Sequence, residues 1–566
     1  MGAGLEVVRL DESGLCALLW LLSRSPGPPA SLVCDAVSRL DELSASAGGV
    51  VALSRLGAGR VAKTLSALAD LCAVHRAPSP LVSRLCDAAA ARASEFSAQH
   101  ASTSLWALGQ LGAHEQGGAL SALCGALVRT RDELRVTNAI NCLWALARLG
   151  FRECGAQTLE ALEACLARGA PLSGKQGASA AYALGSLHGA RAPVSSPGLA
   201  ACVDALSREG ASLSAPGAAA NALWGLAQLR LPPAVCGVAV SSLASNGALS
   251  SRGSAQDVAT AVCSLAHMGR SSGAVLDRAL ESCAPSLSGR SVSDALWAYA
   301  RMGHDGGAMA TADHSTSSTS SSTGGLFAAL DEAVVRTAPT MSRRDAAVAV
   351  WAYGKLGRQS ESALGALARA LCRLDREQRE PHRAQDISMW LVSLARLSFA
   401  DTDALRVLDR EVERQAPAMG PQALANSLYG YAYLRRGSEA ALQALDEAIA
   451  RAAPTLSAHH AAIVLWAYAS LGRRSEALPV IELAIASLIS AGDLPANNAR
   501  TIKWALLRLA DLHDYGGLDV TLISRLGALV PPDRATKPAA EDVQLDYDDD
   551  EDQLDELVDK LLQEPV

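Results

Sequence analysis

Apolar residues along this chain recur three or four apart, the spacing of a helix face, and one apolar phrase keeps returning. It reads LWALGQLG at 105–112, LWALARLG at 143–150, LWGLAQLR at 223–230 and LWAYARMG at 296–303. It returns as VWAYGKLG at 350–357, LYGYAYLR at 428–435 and LWAYASLG at 465–472, with degenerate copies around Ser66, Tyr182, Cys263, Val392 and Trp504. Taking the Trp position as a marker places the copies at 66, 106, 144, 182, 224, 263, 297, 351, 392, 429, 466 and 504. Most intervals are 37–42 residues, and a fixed period near 38 predicts stacked supersecondary units.

Each period has its own punctuation. Four units share Leu-Asp, a Pro nine residues after the Leu, and the marker twelve residues after the Pro: Leu276/Pro285/Trp297, Leu330/Pro339/Trp351, Leu408/Pro417/Tyr429 and Leu445/Pro454/Trp466. Proline cannot continue a helix, so it marks a break between two of them. A serine nine residues before the marker (Ser97, Ser173, Ser254, Ser288, Ser342, Ser457) suits an N-cap. The glycines closing many copies (Gly112, Gly150, Gly269, Gly357, Gly472) suit a left-handed stop. The expected fold is therefore all-α, an α-solenoid of about twelve helix-hairpin repeats of ~38 residues.

The repeats occupy 57–513, after an N-terminal helical cap over 1–56 with a diverged copy at 50–57. A C-terminal cap over 514–540 and an acidic tail over 541–566 follow. The long interval before Trp351 holds a Ser/Thr/Gly-rich insertion, about 304–325, whose composition cannot bury a core and reads as a flexible loop.

Composition narrows the function classes. The 566 residues are 49% hydrophobic and 19% charged, which excludes disorder throughout. Aromatics at 4% argue against a β-sandwich or barrel. No stretch approaches the ~18 uninterrupted apolar residues of a membrane span, so no membrane partner is expected. Thirteen scattered cysteines without a CxxC suggest a reducing compartment and small apolar packing residues. The net charge of −8 is uneven: residues 541–566 hold 12 acids and one Lys, a net of −11, which leaves +3 for the rest. A near-neutral body is not the profile of a non-specific nucleic-acid binder. The tail segment LDELVDKLL is amphipathic, and its acidic neighbours have the charge to compete with RNA for basic residues.

Catalytic constellations are missing. GAPLSGKQ (169–176) matches GxxxxGK, but Gln176 stands where Ser or Thr should bind magnesium, and Ser173 with Gln176 reads as a capping box. His459-His460 is an isolated pair. Neither an enzyme, a cofactor, a metal site nor a small-molecule substrate is expected. The marker aromatics, flanked by small residues (Ala107 and Gly109, Ala352 and Gly354), read as core packing.

Two polar columns carry the functional expectation. Three residues before the marker stand Thr103, Asn141, Ser179, Asn221, Thr260, Asp294, Asn426 and Thr501; four after it stand Gln110, Arg148, Gln228, His267, Arg301, Lys355, Arg396 and Arg508. Seven residues apart, they share one helix stripe, which stacking aligns from repeat to repeat. Amides beside Arg and Lys suit the bases and phosphates of single-stranded RNA. The ordinary alternative is a hydrogen-bond ladder for the amides and a solvated face for the cations. The candidate RNA-binding residues are Arg148, Arg301, Lys355, Arg396, Arg508, Gln110, Gln228, Asn141, Asn221 and Asn426.

The phrase MGPQALANSLYGYAYL (419–434), with LWALARLG and its relatives, resembles the octotricopeptide-repeat group of ~38-residue helix pairs. It is similar to the related heptatricopeptide and FAST-kinase-like repeats of organellar proteins and to a component of the kinetoplastid RNA-editing substrate-binding complex. The likeness covers 57–513, about four-fifths of the chain. It implies a mitochondrial or plastid RNA-binding solenoid acting in RNA processing, stability, translation or ribosome assembly, with ribosomal or RNA-processing proteins as further partners. Two departures stand out: no segment resembles the nuclease-like RAP domain, and the early acids Glu6, Asp11 and Glu12 are unlike an import presequence. The rival expectation is an armadillo-like protein–protein scaffold within a ribonucleoprotein or other complex.

Overall fold

The computed structural model describes residues 7, 9–45, 53, 56–72, 74–168, 170–189, 196–303, 320–377, 383–513 and 520–530. Among them are 27 α-helices, short 3-10 turns and no strand. Most of the 50–57 copy, residues 304–319 of the insertion and the acidic tail lie outside the described residues; from Ser320 the insertion is already helical, in Ser320–Thr337.

The punctuation works as its chemistry dictates. Ser97, Ser173, Ser254, Ser288, Ser342 and Ser457 each cap a helix, every hydroxyl accepting from the backbone N–H three residues on. Ser173 with Gln176, Ser254 with Asp257 and Ser342 with Asp345 complete capping boxes. Gly112, Gly150, Gly269, Gly357 and Gly472 end their helices at φ of 61–67°. At the same place in three other repeats stand Arg230, Ser398 and Arg435, held at φ of 46–50°, a conformation only glycine adopts without cost. Pro285, Pro339, Pro417 and Pro454 each sit in a 3-10 turn between two helices.

All twelve marker positions fall in separate helices, each preceded by a companion helix. The chain divides into two compact units at Met268/Gly269. In the first unit the marker helices Ala58–Asp70, Ala98–Leu111, Val136–Arg148, Gly174–His188, Pro216–Gln228 and Ala255–His267 pack in series. Companions Ser79–Ala91, Gly117–Arg129, Ala156–Ala167, Pro197–Glu209 and Pro233–Ala244 form a second row. Glu12–Ser23 extends the marker row and Ala30–Ala45 the companion row, so the two-row arrangement begins ahead of residue 57. In the second unit the marker row is Gly289–Arg301, Arg343–Leu356, Ala384–Arg396, Pro421–Leu434, Ala458–Leu471 and Ala496–His513.

Small residues let neighbouring marker helices approach. A Cβ on Gly185 would lie 2.5 Å from the Gly225 carbonyl oxygen, and one on Gly225 would lie 2.3 Å from that of Ala181. Arginines near the ends of companion helices then tie repeat to repeat. Arg208, Arg336 and Arg373 donate to the carbonyls of Leu172, Leu287 and Met341, the residue ten before the marker in the preceding repeat. These bonds engage carbonyls left unpaired between two helices.

The two units differ in repeat type. The first has Leu two residues after the marker (Leu108, Leu146, Leu184, Leu226, Leu265); four repeats of the second have Tyr299, Tyr353, Tyr431 and Tyr468. Each tyrosine is buried and faces the aspartate of its own Leu-Asp, 22 residues earlier. The Tyr299 and Tyr353 hydroxyls donate to Asp277 and Asp331 at 2.6 Å. Burial, followed by the aspartate charge, pushes all four phenols upward.

Candidate nucleic-acid interface

The marker residue and the position four beyond it share a face, so a cation there lies over the marker ring of its own helix. Arg148 sits 5.3 Å from the centre of Trp144, Arg301 5.5 Å from Trp297 and Lys355 5.5 Å from Trp351. Such a ring restrains the cation, contributing ~0.5–1 kcal/mol at exposed sites. The rings themselves are largely packed: Trp297, Trp351 and Trp466 are buried, while Trp106, Trp144 and Tyr182 are half-buried. Successive markers also meet directly, Tyr182 on Trp224 at 5.1 Å and Tyr429 on Trp466 at 5.3 Å.

The cation column is consequently a series of side chains along a packed row. Arg148 is exposed; burial pushes the Tyr182 phenol of the next repeat up, and the nearby Arg148 charge opposes that rise. Arg301, Lys355 and Arg396 are half-exposed on three helices that pack in sequence. Arg508 is exposed and pairs with Asp511 at 3.3 Å. Gln110 is half-exposed, whereas Gln228 is 7% exposed and turned into the packing. In the amide column Asn221 is exposed and Asn141 and Asn426 are half-buried. The structure therefore aligns the candidates within each unit and leaves Gln228 without an open face.

A third column, seven residues before the marker, escaped the sequence reading. It holds Gln99, Gln256, Arg290, Arg344, Gln385 and Gln422, and the signal for it was a step of four residues, about one helical turn, back from the amide column. Gln99 donates to Thr103 at 3.0 Å and accepts from Asn138 of the next repeat at 3.0 Å, a ladder between repeats. Arg290 lies 3.9 Å from Asp294, and Arg344 is near Asp294, Asp345 and Asp386. Burial pushes the Asp294 carboxyl up to about 7 despite the opposing pull of Arg290, with Asp345 reinforcing the rise and Arg344 opposing it. Burial likewise lowers Arg344 to about 10, against the stabilising pull of Asp294. The acids thus offset part of this column's positive charge.

Two further cations bracket a marker ring at the start of the chain: Arg24 lies 4.3 Å and Lys63 5.6 Å from the centre of Trp20. Trp20 and Arg24 reproduce the marker and the position four beyond it, with no recognisable phrase around them. Among the described residues no group of three His, Cys, Asp or Glu is placed to hold a metal. No helix of the described residues is long and apolar enough to cross a membrane. Burial raises the thiols of Cys86, Cys124 and Cys202 to about 12, which keeps them protonated and unreactive.

No family model matches the chain, and no curated protein matches it. Solved structures that align with the chain include the pentatricopeptide repeat protein PPR10 from maize, at 14% identity over 93% of this chain and 95% of that one, TM-score 0.25. The karyopherin Kap121p bound to the SUMO protease Ulp1p aligns at 10% identity over 95% and 78%, TM-score 0.24. A homology model of the full-length AP-3 complex in an intermediate open conformation aligns at 11% identity over 93% and 85%, TM-score 0.28. The described residues of the chain form an all-α array of helix-hairpin repeats.

Proposed function

We propose that this protein binds single-stranded RNA along its marker-helix rows, without catalysis, as an organellar factor in RNA processing, stability, translation or ribosome assembly. The observation that carries the reading is the cation column: Arg301, Lys355 and Arg396 on three consecutive packed helices, with Arg148 and Arg508 at the same position elsewhere. Cations repeated once per helix pair suit a ligand whose negative charge also repeats, and polar side chains beside them suit base edges. Asn141, Asn221, Asn426 and Gln110 are the proposed base-edge contacts. The octotricopeptide-like phrases support placement in the mitochondrion, or in a plastid, and ribosomal or RNA-processing proteins as partners.

The test is the salt dependence of binding to single-stranded RNA. Each phosphate contact on a single strand adds about −0.7 to the slope of log K against log salt. Changing Arg301, Lys355 and Arg396 together to Ala is expected to flatten the slope by about 2 units. A protein with no measurable RNA affinity at low salt refutes the reading. The near-neutral body, +3 without the tail, favours the armadillo-like scaffold in that event.

A further inference from the structure

Tyr433 occupies the cation column of its helix, Pro421–Leu434, four residues beyond the marker Tyr429. It is 41% exposed, and among the described residues no other Phe, Trp or Tyr is as open to solvent. The remaining rings of the marker rows are buried or half-buried in the repeat packing. Tyr433 is also backed by other rings. Its centre lies 6.0 Å from Tyr429, which stacks on Trp466 at 5.3 Å and 28°. The ring therefore stands at the open end of a three-ring series whose inner members belong to the core.

Arginines stand on the adjacent marker helix and at the end of its own. Arg396 holds the same column position on the preceding marker helix, which packs against this one, and its charge acts on the Tyr429 hydroxyl. Arg435 and Arg436 are exposed at the end of the same helix. An exposed ring in the column that carries the cations, with arginines on the adjacent helix and at the end of its own, has the composition of a seat for a nucleobase: the base stacks on the ring and the adjoining phosphates meet the arginines. We propose that Tyr433 is a base-stacking platform for single-stranded RNA, with Arg396 and Arg435 holding the phosphates on either side. Every base has a π-face, so this seat is tolerant of sequence and contributes affinity rather than selectivity.

This inference rests on the RNA reading above, and the experiment separates the two. Full-length protein carrying Tyr433→Phe, Tyr433→Leu or Tyr433→Ala is titrated with oligouridine and oligoadenine of about 12 nucleotides, one per repeat. Melting temperatures check that each variant folds. Phe is expected to bind like wild type, while Leu and Ala weaken binding about 5- to 100-fold. The salt slope stays unchanged, because no phosphate contact is removed. If Leu binds as tightly as Phe, the ring is only packing and the stacking proposal fails, while an Arg396→Ala loss would leave the RNA reading standing. Absence of wild-type binding to either oligonucleotide overturns both.

Discussion

A glycine inside a helix can be indispensable or replaceable, and the distance to the next helix decides which. Gly225 meets the Ala181 carbonyl oxygen at 2.3 Å from where its Cβ would lie, so Gly225→Ala is expected to cost ~1–3 kcal/mol in thermal or denaturant melts. Gly125 lies exposed in the helix Gly117–Arg129 with nothing within 4 Å of such an atom. Gly125→Ala should therefore stabilise by ~0.5–1 kcal/mol. Charge at a single residue has an equally directional consequence. Asp294 has a folded pKa near 7 against an unfolded value near 4, so the native state holds the extra proton between these limits. Stability from this group is full below about pH 4 and is lost as pH rises toward 7. Asp294→Asn is thus expected to raise the melting temperature at pH 7.5 and to change it little at pH 4.5. Equal shifts at both pH values would contradict the assignment.

At the scale of one repeat, capping, turn and buried pairing act together. Ser342→Ala removes a cap from the Trp351 helix and is expected to cost ~1 kcal/mol, whereas Arg435→Gly relieves a left-handed arginine and is expected to gain a few tenths to ~1 kcal/mol, both read by melting. Much of this scale was legible in the sequence, because caps and stops act through local backbone geometry. Ser97, Pro339 and Gly357 each have one ordinary use at their position, and each has it in the structure. The Tyr–Asp pairing was not read, although its 22-residue spacing recurs four times. The aspartates were visible as part of Leu-Asp, but their partner lies across a helix–turn–helix, and only packing brings Asp331 to Tyr353. The carbonyl-bound arginines were hidden for the same reason: Arg336 looks like a solvated helix end until the neighbouring repeat is in place. Within the candidate site, the seven-residue step places Asn141 and Arg148 on one stripe of one helix, Val136–Arg148. It could not show that Gln228 is buried or that Tyr433 is open, since both depend on how closely adjacent helices meet.

At the scale of the whole molecule, Tyr two residues beyond the marker occurs only after the division at Met268/Gly269, in four of the six repeats there, while Leu394 and Leu506 keep the residue of the first unit. Charge is likewise segregated: residues 541–566 carry −11 and the remainder +3. An acidic segment on the same chain opposes any polyanion that approaches the cation column, and salt screens that repulsion. Deleting residues 541–566 is expected to tighten RNA binding at low salt and to matter less as salt rises; unchanged affinity would remove the tail from the account. The central claim concerns the cation column itself. Its most direct test is crosslinking and sequencing of RNA bound in cells, for the native protein and for a variant with Arg148, Arg301, Lys355, Arg396 and Arg508 changed to Ala. The account predicts enrichment of a few organellar transcripts or rRNA segments by the native protein and its loss in a folded variant. Native protein that enriches no RNA above background, or a variant that retains the same footprint, would contradict it.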